Sequence, residues 1–68
     1  MVQDIKLGDK IRIVNMKYNP SIKGDKEACE AYKGKEGRVT MIDSIGQLHG
    51  TWGGLAVIPD EDEFVKIQ

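Results

Sequence analysis

The residues in this chain that could best bind a ligand are lysines interleaved with two tyrosines between residues 17 and 36. Cationic side chains contact phosphates and aromatic rings stack on bases, so this combination is one that nucleic acid-binding proteins use. Four carboxylates lie among the six basic residues from Lys17 to Arg38, which leaves a net charge of +2. This partial balance favours a solvated loop that offers candidate partner-binding residues: Tyr18, Lys23, Lys26, Tyr32, Lys33 and Lys35.

Two further side chains are chemically reactive types, His49 and Cys29, and each is the one residue of its kind. A catalytic histidine needs an orienting acid and a nucleophile or substrate beside it, and His49 has no sequence-adjacent partner. We interpret it as a surface histidine, with a pH-sensitive or binding contact as the alternative. A lone cysteine forms neither an internal disulfide nor a thiolate cluster for a metal. Cys29 is a possible reactive thiol that we treat as incidental.

The densest run of charge is acidic and extends from Asp60 to Glu63. A calcium loop usually places its oxygen ligands at alternate positions around a glycine, and this run has no glycine. We therefore interpret it as a solvated turn, with weak cation binding or attraction to a basic partner as alternatives. The sequence contains no recognisable catalytic or metal-binding motif, so we expect no enzymatic activity and no cofactor.

The length of 68 residues predicts one domain over 1–68, in which most large apolar side chains are needed for the core. No apolar stretch approaches the roughly 18 residues that a membrane span requires, and the N-terminal residues do not form a signal peptide. We expect a cytoplasmic monomer. Residues 1–38 hold nine basic and six acidic residues, whereas residues 39–68 hold one basic and five acidic residues. This asymmetry indicates either internal complementarity or a basic face.

The elements that must position these residues are short strands separated by glycine turns. Ile11 and Ile13 alternate inward in the first strand, and the apolar phase then shifts, which predicts a bulge near Val14. Residues 17–36 are expected to form a long loop with a short helical turn, capped by Asp25. Gly53-Gly54 is expected to form a hairpin turn. The predicted core is Ile13, Val39, Met41, Leu48, Trp52 and Val57.

Trp52 is either the main core residue or part of an aromatic binding groove, and we favour the core. Gly50 shares its predicted face and would leave space for a large neighbour. The two tyrosines lie in the long loop and are the better candidates for exposed contacts.

Four segments together carry a resemblance to a known family. They are Gly8 to Val14, Gly34 to Thr40, Ile42 to His49 and Ala56 to Pro59. The chain resembles the domain of unknown function 4314 family of small bacterial and phage proteins, which implies an SH3-like barrel without an assigned activity. It departs from that family in its longer, more charged 17–33 loop and at Gly50.

The sequence therefore predicts an all-β fold, a small SH3-like barrel of about five strands with one long loop. The expected function is that of a non-enzymatic binding or accessory module that binds a protein through the 17–36 loop. The alternative is a nucleic acid-binding SH3-like domain of the KOW type.

Overall fold

Five antiparallel strands and one short helix make up the fold. The computed structural model describes residues 5–68, and residues 1–4, part of the segment weighed above for a signal peptide, lie outside this range. In chain order the elements are β1 (Lys10–Asn15), α1 (Asp25–Ala31), β2 (Glu36–Ile42), β3 (Leu48–Gly50), β4 (Gly53–Val57) and β5 (Glu63–Lys66). The all-β expectation is confirmed, and so is the short helical turn inside the long connection.

The strands form one open sheet in the order β4-β3-β2-β1-β5. β2 is shared between two partners, because residues 36–38 pair with β1 and residues 39–42 pair with β3. Register shifts interrupt the pairing near residue 14, at residues 39–41 and along β4. Such bulges increase local twist and bend a sheet around its core. The bulge expected near Val14 is confirmed.

The core combines strand residues with Cys29 of the helix and with Met16 and Trp52 of the connections. Its buried side chains are Ile11, Ile13, Met16, Cys29, Val39, Leu48, Trp52, Val57 and Phe64. The expectation that Met41 is buried is wrong, since 50% of Met41 is exposed. The register shift between Val39 and Met41 is the reason, because a one-residue slip moves a side chain to the opposite face.

Trp52 is only 3% exposed, which confirms its predicted core position. A Cβ atom placed on Gly50 would clash with the Trp52 ring and with the Arg38 carbonyl oxygen. Gly50 is therefore required by the close approach of the indole. The predicted turn at Gly53-Gly54 is wrong: Gly50 pairs with Gly53, so the turn is Thr51-Trp52 and both glycines belong to β4. The indole N–H donates to the Leu55 carbonyl at 2.7 Å, so this buried polar group has a hydrogen-bond partner.

The connection between β1 and β2 contains helix α1 and several local backbone hydrogen bonds. The expectation that Asp25 caps α1 is wrong, because Asp25 is the first helical residue and Gly24 precedes it with a φ of 84°. The Asp25 carboxylate instead accepts a hydrogen bond from the Asn19 backbone N–H at 2.7 Å. The connection returns to the sheet through Gly34, whose N–H donates to the Ile13 carbonyl at 2.7 Å.

Candidate functional site

A concavity on the protein surface surrounds the side chain of Tyr18. It consists of two adjoining depressions of about 410 Å³ and 300 Å³, which share Lys17, Tyr18 and Glu61. We call the pair the Tyr18 cleft. Its walls are residues 15–20 at and after the end of β1, residues 25–33 in and after helix α1, and the turn of residues 58–62 between β4 and β5, from which Glu61 lines the cleft. The remaining lining residues are Asn15, Met16, Asn19, Pro20, Asp25, Lys26, Glu30 and Lys33.

A buried carboxylate joins two of these walls. Asp62 is 8% exposed, and its two oxygens accept backbone N–H groups from Lys17 and Ile58, each at 2.8 Å. The interpretation of residues 60–63 as a solvated turn is therefore wrong for Asp62, although Asp60, Glu61 and Glu63 are exposed. A buried carboxylate is stable there because both oxygens are hydrogen-bonded. Asp62 thus fixes the position of the chain that carries Lys17 and Tyr18.

Cys29 attaches the helix to the same segment. Its thiol is buried and lies 3.8 Å from the Lys17 carbonyl oxygen, within reach of a weak S–H hydrogen bond. Burial raises the pKa of the Cys29 thiol, and the nearby carboxylates of Asp25 and Asp62 raise it further. A raised pKa disfavours the nucleophilic thiolate, so Cys29 acts as a core residue of the helix.

The charges around the Tyr18 cleft balance. Three lysines line it, Lys17, Lys26 and Lys33, and three carboxylates oppose them, Asp25, Glu30 and Glu61. The ammonium group of Lys26 lies 5.8 Å from the centre of the Tyr18 ring, within the range of a cation–π contact. Tyr18 is nevertheless 38% exposed. The cleft therefore offers an accessible aromatic ring between charges of both signs.

The structure brings together only half of the six residues predicted from the sequence. Tyr18, Lys26 and Lys33 line the Tyr18 cleft, whereas Tyr32 packs against the core and its ring lies beside Gly53 of β4. Lys35 contacts Tyr32, with the Lys35 ammonium group 5.2 Å from the centre of the Tyr32 ring. Lys23 is exposed and lines neither depression.

The sequence-based prediction missed the turn of residues 58–62 as a wall of the site. The signal that would have indicated it is the spacing of Ile58 and Asp62. Aspartate side chains readily accept backbone N–H groups of their own turn, as Asp62 does from Ile58 four residues earlier. The bond to Lys17, 45 residues away in sequence, carries no local signal.

His49 has a carboxylate partner that lies six residues earlier in the sequence. Its Nε2 atom lies 2.9 Å from Oδ2 of Asp43. The Asp43 carboxylate also accepts the backbone N–H groups of Gln47 at 2.9 Å and Ile45 at 3.1 Å, and so closes the β2–β3 turn. The His49 hydrogen bond is the largest cause that lowers the pKa of Asp43, followed by the backbone bond from Gln47. The pair stabilises a turn and lies outside the Tyr18 cleft.

Comparison with known proteins gives no relative: no family model, curated protein or solved structure matches the chain. Among residues 5–68, no cluster of three or more histidine, cysteine, aspartate or glutamate side chains has the arrangement of a metal site. The same residues include no helix that is long and apolar enough to cross a membrane.

Proposed function

We propose that this protein is a non-enzymatic binding module that holds a segment of a protein partner in the Tyr18 cleft. The observation that carries the proposal is the exposed Tyr18 ring inside a concavity whose walls are fixed by Asp62 and Cys29. Aromatic rings supply large contact area at low conformational cost, which makes tyrosine a frequent anchor residue at protein interfaces.

The charge balance of the cleft supports a protein partner over nucleic acid at this site. Binding to a phosphate backbone depends on excess positive charge, and the three lysines face an equal number of carboxylates. A polypeptide segment carries both signs of charge together with apolar groups, and so matches the cleft. The KOW-type alternative requires the lysines of residues 17–36 to act as one basic surface, and only Lys17, Lys26 and Lys33 lie together.

An SH3-like barrel is the architecture that we propose for the module. Three features support it: consecutive strands are antiparallel neighbours, β5 lies beside β1, and β2 serves two partners across a bulge. Membership of the domain of unknown function 4314 family belongs to the same proposal. The glycines of the quoted segments support it, since Gly8, Gly34 and Gly46 have φ values of 89°, 82° and 84°.

The test is affinity capture with the immobilised full chain, compared across variants by quantitative mass spectrometry. Tyr18→Ala is expected to lose a specific partner that the wild type retains, while Tyr18→Phe keeps most of the binding because the ring remains. Lys33→Gln is expected to weaken capture, and Lys23→Gln serves as its control because Lys23 lies outside the cleft. A partner retained equally by wild type and Tyr18→Ala would contradict the proposal, as would failure to capture any partner.

A further inference from the structure

The outward surface of β1 and the first half of β2 carries an excess of positive charge. Lys10 and Arg12 of β1 and Arg38 of β2 alternate with the buried residues Ile11 and Gly37. Glu36 is the one carboxylate among the outward side chains of these paired residues. We call the set of Lys10, Arg12, Arg38 and Glu36 the basic face, and its net charge is +2.

The arrangement of these cations opposes stability. Lys10 and Arg38 are directly opposite each other in the β1–β2 pairing. Like charges at directly opposite positions of an antiparallel pair destabilise a sheet, whereas opposite charges stabilise it. The neighbouring pair shows the stabilising arrangement, since Arg12 lies opposite Glu36 and contacts it at 2.8 Å. A contribution to the stability of the sheet therefore does not explain why Lys10 and Arg38 lie opposite each other.

Compensation within the face is incomplete. Glu36 serves two cations, because its carboxylate lies 2.8 Å from Arg12 and 3.8 Å from Lys10. The Arg38 guanidinium donates to two neutral acceptors, the Gly8 carbonyl at 2.9 Å and the Gln68 amide oxygen at 3.0 Å. Within residues 5–68, no carboxylate forms an ion pair with Arg38. These bonds hold Arg38 in place without neutralising its charge.

The chemistry of the face fits phosphate groups along a backbone. Alternate residues on one strand are about 7 Å apart and adjacent strands about 5 Å apart, so the three cations form a compact group on the outward side of the sheet. None of the four aromatic residues lies on this face: Trp52 and Phe64 are buried, and Tyr18 and Tyr32 belong to the β1–β2 connection. Without a stacking ring, the face can contact phosphates but has no aromatic platform for bases.

We propose that the basic face binds the phosphate backbone of nucleic acid without sequence preference. A lipid headgroup surface offers similar anions, but binding at a membrane interface also uses inserted aromatic or leucine side chains. Two exposed apolar residues lie next to the face: Val65, directly opposite Arg12 on β5, and Leu7, which precedes the Gly8 carbonyl that binds Arg38. Two isolated aliphatic side chains offer little apolar area for insertion into a membrane. This inference is independent of the Tyr18 cleft and goes beyond the function proposed for it.

The test is fluorescence anisotropy with a labelled mixed-sequence oligonucleotide, as single strand and as duplex, across a series of salt concentrations. Three phosphate contacts give a slope of log K against log salt of roughly −2 for a single strand and roughly −2.7 for a duplex. Duplex affinity then falls roughly 40-fold between about 50 and 200 mM salt. Lys10→Gln is expected to reduce the slope by about 0.7 to 0.9 and to weaken binding at every salt concentration.

Two pairs of variants separate a local site from net charge. Glu36→Gln removes the carboxylate of the basic face and is expected to strengthen binding several-fold, whereas Glu27→Gln on α1 makes the same charge change elsewhere and leaves binding unchanged. Lys23→Gln is the corresponding control for Lys10→Gln. Circular dichroism and a thermal melt of each variant verify that it is folded.

Three results would overturn the inference. The first is no binding to either oligonucleotide at low salt. The second is an equal response of the matched pairs, which would indicate net charge rather than a site. The third is binding to phosphatidylserine vesicles without binding to oligonucleotide, which would assign the face to a membrane surface.

Discussion

Asp62 is the residue whose alteration tests how the Tyr18 cleft is assembled. Its two oxygens each accept one backbone N–H, from Lys17 and from Ile58, at 2.8 Å. Asp62→Asn keeps the size of the side chain but replaces one oxygen with an NH₂ group, which would face an N–H donor. One charge-assisted hydrogen bond is then lost and the other becomes neutral and weaker.

The expected cost follows from these two bonds. A hydrogen bond to a charged group contributes about 1.5 to 3 kcal/mol, so losing one and weakening the other costs about 2 to 4 kcal/mol. A domain of 68 residues has a total stability of roughly 3 to 10 kcal/mol. Asp62→Asn should therefore lower the melting temperature by roughly 15 to 30 °C.

The assay is thermal and urea unfolding followed by far-ultraviolet circular dichroism. Asp60→Asn is the matched control, because it makes the same chemical change at an exposed position of the same turn. We expect the control to remain within about 0.5 kcal/mol of the wild type. If Asp62→Asn also remained within that range, Asp62 would not fix the Lys17 segment and the account of the cleft walls would be refuted.

Three further predictions concern the fold around the site. Gly50→Ala should destabilise the protein by more than about 2 kcal/mol in urea unfolding, because its methyl group would meet the Trp52 ring and the Arg38 carbonyl. Gly54→Ala is the control and should be neutral, since a methyl group there meets no atom within 4 Å. Equal effects would contradict the close packing of Trp52 on Gly50. Leu48→Ala should lower the free energy of unfolding by about 2 to 4 kcal/mol and Met41→Ala by under about 1 kcal/mol, since Leu48 is buried and Met41 half-exposed. A loss at Met41 as large as that at Leu48 would indicate that Met41 packs in the core. The hydrogen bond from His49 and the turn N–H groups lower the pKa of Asp43 from its ordinary value of 3.8. The ionised carboxylate therefore stabilises the fold at pH values above 3.8. This stabilisation is lost as the pH falls through the lower pKa of the folded state. The melting temperatures of wild type and Asp43→Asn should thus differ at neutral pH and converge in strong acid, and a constant difference would argue against the pair.

Strand residues with a clear period of two were predictable from the sequence. Ile11, Ile13 and Val39 are buried where alternation places them, and Gly46 takes the positive φ that its turn requires. The errors occurred where alternation breaks. Met41 follows a bulge whose position depends on pairing with β3, and Gly53 follows a turn set by the packing of Trp52. Both depend on tertiary contacts that a local pattern does not contain.

The candidate site was predictable only in part, for a related reason. Tyr18 and Lys26 belong to one connection, so composition alone marked them as candidates. Glu61 lines the cleft from the β4–β5 turn, 43 residues after Tyr18, and Asp62 of that turn holds the Lys17 segment; the turn lies there because β5 pairs with β1. Their distance in sequence gives no reason to combine Glu61 and Asp62 with Tyr18. Tyr32 is a candidate for exposed contacts from its place in the long loop, but it packs against the core.

The central claim is that a partner binds at the Tyr18 cleft, and the most direct measurement is an NMR titration of the ¹⁵N-labelled full chain with the captured partner. The account predicts that amide shifts change first at residues 15–20, 25–33 and 58–62, the three walls of the cleft. It also predicts that Tyr18→Ala removes these changes while the rest of the spectrum stays folded. Changes confined to β2, β3 and their turn, with residues 15–18 and 58–62 unaffected, would contradict it.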